Sequence, residues 1–362
     1  MIKFSLILIV ALLLTSCSDK KEKFRNKKSV EVALVDVDKK LNYQQDAIKG
    51  FEYANKKYRY LDDGTEIKYK VYSHIKDVNS TLEQFKRIKE DGNKVIISLA
   101  NSEKTVNDIE SINAIKLPYI SVVGTYDELI LKSKYITRVS TSNEKIGNIA
   151  AYYIMDELRG KNVAVIYNSK NIYSKSIYEA FIAKFTKLNG TIKRAVDIDS
   201  EKLNRDMFKE YKIVFIALNS QNKYKYIKKI KEIDADIKII TTEGLFNYML
   251  SSKSKEISAV DDVVTIEQFK VFESSTIFKL FDEELFTNSV YSLLGYESYI
   301  LLRTALNKCP ELKTECININ LRNSCNIVGA IESLKTISGH TQRTLFINTI
   351  KDGTIINNLI VH

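Results

Sequence analysis

Residues 135–190 read YITRVSTSNEKIGNIAAYYIMDELRGKNVAVIYNSKNIYSKSIYEAFIAKFTKLNG. An extended segment is followed by an amphipathic helix, a buried strand, a polar loop and a second amphipathic helix, the alternation expected of a parallel α/β layer. In the first helix Ile146, Ile149, Ala150, Tyr153, Ile154 and Leu158 recur at the 3.6-residue period that lines one face. Arg159-Gly160-Lys161 ends it, and Val163 to Tyr167 is a β-branched run suited to a strand covered on both sides. Asn171 to Ser176 then reads as a polar loop at the strand's carboxyl end, the edge at which open α/β sheets bind ligands.

The same alternation extends in both directions. Towards the amino terminus, strands are expected at Val30 to Val35, Glu66 to Tyr72, Val95 to Leu99 and Tyr119 to Val122. Helices between them carry Ile48, Phe51, Ala54 and Tyr58, then Leu82, Phe85 and Ile88. Towards the carboxyl terminus, Ile192 to Val196, Ile213 to Leu218 and Ile237 to Thr241 read as strands, with Tyr226, Ile227, Ile230 and Ile233 on an intervening helix. Ile257 to Val260 and Val263 to Ile266 read as strands leading back to a first lobe, followed by helical patterns near Phe269 to Phe281 and Val290 to Leu306. A hairpin of Leu345 to Ile350 and Thr354 to Val361 turns at Asp352-Gly353.

The chain opens with Lys3, an apolar run from Phe4 to Leu14, and Leu14-Thr15-Ser16-Cys17, the pattern of a lipoprotein export signal with lipidation at Cys17. The run is about half the roughly 20 residues a membrane-spanning helix needs. Ser18 to Ser29 is polar and lacks apolar periodicity, as a flexible tether does. With 55 Lys+Arg against 45 Asp+Glu the chain is basic, yet its lysines are spread along the whole length, which argues against a nucleic-acid partner. The histidines, His74, His340 and His362, sit in no metal-binding spacing, and phosphate-loop, dinucleotide and nucleophile-elbow motifs are absent. No catalytic constellation, metal site or cofactor is expected.

Tyr135 to Ser140 (YITRVS), the VAVIY strand, the loop around Tyr173 and the helix ending in Asn189-Gly190 resemble the passage into the second lobe of bacterial branched-chain amino-acid-type substrate-binding proteins. The likeness extends over about residues 29 to 335. Tyr43 to Gly50 (YQQDAIKG) resembles the family's opening loop, with Gln44 where a glycine is usual. The resemblance implies a two-lobe type I periplasmic binding protein fold, each lobe a parallel sheet flanked by helices, joined by several hinge crossings. The first lobe would comprise residues 30–137 plus about 264–344, the second 138–263 plus about 345–362, after the signal (1–17) and tether (18–29). It also implies a disulfide between Cys309 and Cys316, leaving Cys325 as a buried free thiol, with Cys316–Cys325 as the alternative pairing.

The function implied is capture of a small ligand, an amino acid or related carboxylate, for delivery to an ABC permease. A lipid anchor would hold the protein outside the cytoplasm, in the periplasm of a Gram-negative cell. A ligand sensor or protein-binding regulator of the same fold is the alternative. Strand-end turns at Asn101-Ser102 and at Val123-Gly124-Thr125 have the hydroxyl and amide groups that a carboxylate needs. Helix capping accounts for Asn101 and Ser102 equally well. Glu243, followed by Gly244, stands where the family's amino-acid binders place an acid for the ligand ammonium. Tyr43, Tyr173 and Asn219 are candidates for the side-chain pocket.

Overall fold

The computed structural model describes residues 28–38, 40–75, 77–208, 211–245, 260–268, 289–330, 333–352 and 354–361. The leader with Cys17, nearly all of the tether, Ile257 to Ala259, Phe269 to Phe281 and Gly353 lie outside them. No helix among the described residues is long and apolar enough to cross a membrane.

The amino-terminal part of the chain, to Arg138, alternates as the hydrophobic periods predict. It runs β1 (Ser29–Val37), α1 (Asn42–Lys57), β2 (Glu66–Ser73), α2 (Val78–Glu90), β3 (Ile96–Ser98), α3 (Ser102–Asn107), α4 (Ile109–Ile115), β4 (Tyr119–Ser121), α5 (Glu128–Lys132) and β5 (Ile136–Arg138). The second lobe follows with α6 (Asn143–Tyr152), β6 (Asn162–Tyr167), α7 (Ile172–Lys187), β7 (Thr191–Asp197), β8 (Ile213–Ala217), α8 (Ser220–Ile233), β9 (Lys238–Thr242) and β10 (Val264–Glu267). The chain then passes through α9 (Val290–Asn307), α10 (Thr314–Arg322), β11 (Ile327–Val328), β12 (Ser333–Ile337), β13 (His340–Gln342), β14 (Leu345–Lys351) and β15 (Thr354–Val361).

Two sheets result. The first has the order β11-β12-β13-β5-β4-β3-β1-β2 and the second β15-β14-β10-β9-β8-β6-β7. Within each, five successive strands pair in parallel, with the lobe's first strand lying between its second and third. This is the doubly wound order in which a crevice opens at the strands' carboxyl ends. Alternate residues explain why each sheet is covered on both faces. Val30, Val32 and Leu34 pack with α1 and α9, whereas Ala33 and Val35 belong to a separate core with Phe85, Ile88 and Ile112. In the second lobe Val163 and Val165 share a core with Ile146, Ile154 and Phe181, and Ala164 and Ile166 share another with Ile227 and Ile230.

Four details depart from expectation. The helix expected through Leu158 is α-helical only to Tyr152 and continues as a π turn over Tyr153–Glu157, with Leu158 N–H donating to Tyr153 O at 3.2 Å. Tyr173 stands in the first turn of α7 and not in a loop, because the Asn171 side chain accepts from Ser174 N at 3.0 Å and starts the helix early. Val264–Glu267 joins the second sheet, parallel to β9 and antiparallel to β14, so the chain returns to the first lobe only after Glu267. Cys325 is exposed instead of buried, whereas the disulfide between Cys309 and Cys316 is the expected one.

Candidate functional site

The first wall is built where β3 and β4 end. Asn101 caps α3, its side chain accepting from Lys104 N at 2.9 Å. Ser102 is buried, and its Oγ accepts from Thr125 N at 3.0 Å and Tyr126 N at 3.2 Å, which ties the two strand-end turns together. A hydroxyl accepting two such bonds keeps its own proton for a third partner. Thr125 is held through its carbonyl, which accepts from Asn143 N and from the buried Arg138 guanidinium, each at 3.0 Å. Gln44, in place of the usual glycine, is buried. It accepts from Asp38 N at 2.6 Å and donates to Leu99 O at 3.0 Å, so its side chain supplies the loop's backbone partners. The Tyr43 ring lies 5.4 Å from that of Tyr291 on α9.

The opposite wall comes from the ends of β6, β8 and β9. The Tyr173 hydroxyl contacts Thr242 Oγ1 at 2.9 Å and donates to Glu243 Oε1 at 3.1 Å. Burial and the adjacent Glu243 carboxylate push that hydroxyl far above the usual tyrosine range, so it stays protonated and donating. Glu243 is only 8% exposed, and its Oε2 has no hydrogen-bond partner. Burial raises its carboxyl above the ordinary range, against the opposing effects of Lys223 and the Tyr173 hydroxyl. An unpaired buried acceptor is costly, and a cationic donor would offset most of that cost.

These walls enclose a cavity of about 260 Å³. Tyr43, Asn101, Ser102, Val123, Thr125, Tyr173, Asn219 and Glu243 all line it. Leu41, Glu103, Asn171 and Gln268 join them, and α9 closes one side with Val290, Tyr291 and Leu294. Apart from Asn171, which opens the polar loop expected at the ligand edge, sequence reasoning did not single out these further residues. Asn171 and Gln268 each follow a buried strand, a position that marks the cleft edge. The α9 residues give no such signal, since Val290 and Leu294 read as ordinary core periodicity. Lys223, the fully buried lysine behind the second wall, stands four residues before Ile227 and seven before Ile230, a charge on an apolar stripe. No group of three or more His, Cys, Asp or Glu residues able to hold a metal occurs among the described residues.

Two doubly wound lobes meeting at the carboxyl ends of their strands define a type I periplasmic binding protein fold. The chain belongs to the receptor family ligand binding region, whose family model matches residues 51–355. Solved structures agree on the fold. A leucine-binding protein LivK from Thermotoga maritima is 17% identical, with a TM-score of 0.75 over 92% of this chain and 99% of that one. The branched-chain amino-acid transporter substrate-binding protein LivJ from Streptococcus pneumoniae, in complex with isoleucine, is 15% identical, with a TM-score of 0.76 over 92% and 99%. A solute-binding protein from Rhodopseudomonas palustris, in complex with 4-hydroxybenzoate, is 13% identical, with a TM-score of 0.76 over 91% and 96%. A comparison with curated proteins finds no match.

Proposed function

We propose that this chain is an exported solute-binding lipoprotein that captures a free amino acid between its lobes and presents it to an ABC permease. The observation that carries the reading is Glu243 Oε2, a buried carboxylate oxygen without a partner in a residue lining the cavity. An α-ammonium supplies the cationic donor that this oxygen lacks. The hydroxyls of Ser102 and Thr125, on the opposite wall, are the donors for the α-carboxylate. Tyr43, Tyr291, Val290 and Leu294 offer an apolar surround for a side chain, with Asn219 as a polar contact. A volume of about 260 Å³ lies just below the roughly 300–1,000 Å³ of pockets for drug-sized ligands, in keeping with a small solute.

A ligand touching both walls stabilises the closed arrangement of the lobes, because only that arrangement offers both sets of contacts. In this reading Cys17 carries the lipid and the segment to Ser29 tethers the lobes outside the cytoplasm. The relatives solved with isoleucine and with 4-hydroxybenzoate support a small carboxylate as ligand. The buried acid favours the amino acid.

A thermal-shift screen of the full chain in detergent against amino acids and small carboxylates, with Glu243→Gln alongside, tests this. An amino acid at 100 times its Kd adds about 2.7 kcal/mol to folded-state stability and raises Tm. The expected result is a shift in the wild type that Glu243→Gln loses. A shift that survives the substitution assigns the ligand to acids lacking an amine, and no shift across the panel removes the amino-acid reading.

A further inference from the structure

Beneath the Thr242–Gly244 turn lies a buried charge cluster larger than one carboxylate. Lys223, from α8, is fully buried, and its ammonium donates to Thr242 O at 2.8 Å, Thr242 Oγ1 at 2.9 Å and Glu243 O at 2.6 Å. Three donors are all that an ammonium has, so they are spent on Thr242 and the Glu243 carbonyl and none reaches a carboxylate. Glu267, ending β10 and also fully buried, accepts from Gly244 N at 3.3 Å through Oε2. Its Oε1 has no partner, and neither has Thr265 Oγ1 on the same strand. One turn is therefore held from behind by a cation and an acid, while its own acid, Glu243, lines the cavity.

We propose that Lys223 and Glu267 are positioning residues for Glu243, and that arrival of a ligand ammonium at Glu243 expels a proton from Glu267, so that the site selects amines over acids without one. This rests on the amino-acid reading above. The argument is one of buried charge. One cation and two carboxylates cannot all ionise in a dry interior without a net charge, and an uncompensated buried charge is strongly unfavourable. Before the ligand arrives, a proton on Glu267 leaves Lys223 and Glu243 balanced. Burial raises the Glu267 carboxyl well above the ordinary range against the pull of Lys223, and although burial also lowers the Lys223 ammonium, the three acceptors around it keep it charged.

A bound ammonium adds one positive charge beside Glu243. Glu267 then restores the balance by releasing its proton to solvent, giving two cations and two carboxylates. An acid lacking an amine brings no such charge and leaves Glu267 protonated. The titratable groups set against Glu267 are Lys223 from α8, Glu243 beyond β9 and Tyr291 from α9. Its neighbour on β14 is Phe346, which does not titrate.

Calorimetric titration of the full chain at pH 7 in PIPES and in Tris, buffers of different ionisation heat, counts the protons released. The probes are L-leucine, L-isoleucine, L-phenylalanine and L-glutamate, with 4-hydroxybenzoate as the acid without an amine. Expected are release of about one proton per bound amino acid, none with 4-hydroxybenzoate, and an affinity for the amino acid that rises about tenfold from pH 6 to pH 7. Glu267→Gln is expected to abolish the buffer dependence and to weaken amine binding. Amino-acid binding with the same heat in both buffers overturns the proposal and leaves the amino-acid reading standing, as does proton release that persists in Glu267→Gln. Absence of any amino-acid binding removes that reading and the proposal with it. Should Glu267→Gln fail to fold, the wild-type comparison of the two buffers decides alone.

Discussion

Asp108 is fully buried at the end of α3, beside a second group of charges in the first lobe. It pairs with Lys104, whose ammonium also donates to Thr81 Oγ1 at 3.1 Å and lies 4.0 Å from Asp36. Asp36 accepts from Ser98 Oγ at 2.7 Å. Asp108 Oδ2 has no partner, and burial raises its carboxyl from 3.8 to about 6 despite Lys104. The folded state therefore holds this proton at a pH where the unfolded chain has lost it, and the group's contribution to stability falls as pH rises from about 4 to 6. Asp108→Asn should gain on the wild type by on the order of 3 kcal/mol between pH 4 and pH 7, read from urea midpoints at the two values. An equal difference at both would show that Asp108 does not titrate in that window. Single residues at strand ends, Thr125 and Glu243 among them, were legible in the sequence because a buried run names its own end. Lys223 was not singled out, since a lysine in a helix reads as solvated until its neighbours across the chain are known.

At the scale of elements, α1 and α9 pack backbone against backbone. A Cβ on Gly50 would come within 1.8 Å of Ser292 O, and one on Gly295 within 1.9 Å of Ala47 O. Each glycine lets the other helix's backbone approach, and that approach brings Tyr291 against Tyr43 at the cavity. Gly50→Ala should therefore separate the helices and cost about 1–3 kcal/mol, even though alanine is the better helix former. A denaturant midpoint unchanged by the substitution would contradict this packing. The sequence showed two apolar helix patterns here and no sign that they pair, because periodicity reports that a face is buried and not what covers it. The same limit explains Tyr173. Polar residues at the start of α7 resemble a loop until Asn171 is seen capping the helix.

At the scale of the whole molecule, the described residues show the chain leaving one sheet for the other at three places. The first leaves β5 at Arg138, the second follows β10 at Gln268, and the third joins β13 to β14 through Arg343 and Thr344. Gln268 Oε1 accepts from Thr141 N at 2.7 Å, linking the first two. Arg343 ties the third crossing to the first and to α9. Its Nε donates to Val139 O at 2.8 Å, and its guanidinium pairs with Glu297 of α9, itself only 1% exposed. Breaking one side of a buried pair leaves an uncompensated charge. Arg343→Met should therefore cost about 3–5 kcal/mol in a urea titration, with a smaller loss in the double variant Arg343→Met/Glu297→Gln. Equal losses in the two variants would mean that an unpaired Glu297 carboxylate carries no penalty.

By itself the sequence determined the succession of strands and helices, the doubly covered sheets and the strand ends that line the cavity. Those follow from local periods of two and 3.6 residues, which need no knowledge of distant neighbours. It did not determine that Val264–Glu267 belongs to the second sheet, that α9 closes the cavity, or that Lys223 and Glu267 lie beneath Glu243. Each of these is a juxtaposition of residues far apart in the chain, decided by which buried faces meet. The charge of the cleft follows from the same cause, because desolvation acts on a side chain only after tertiary packing has removed its water.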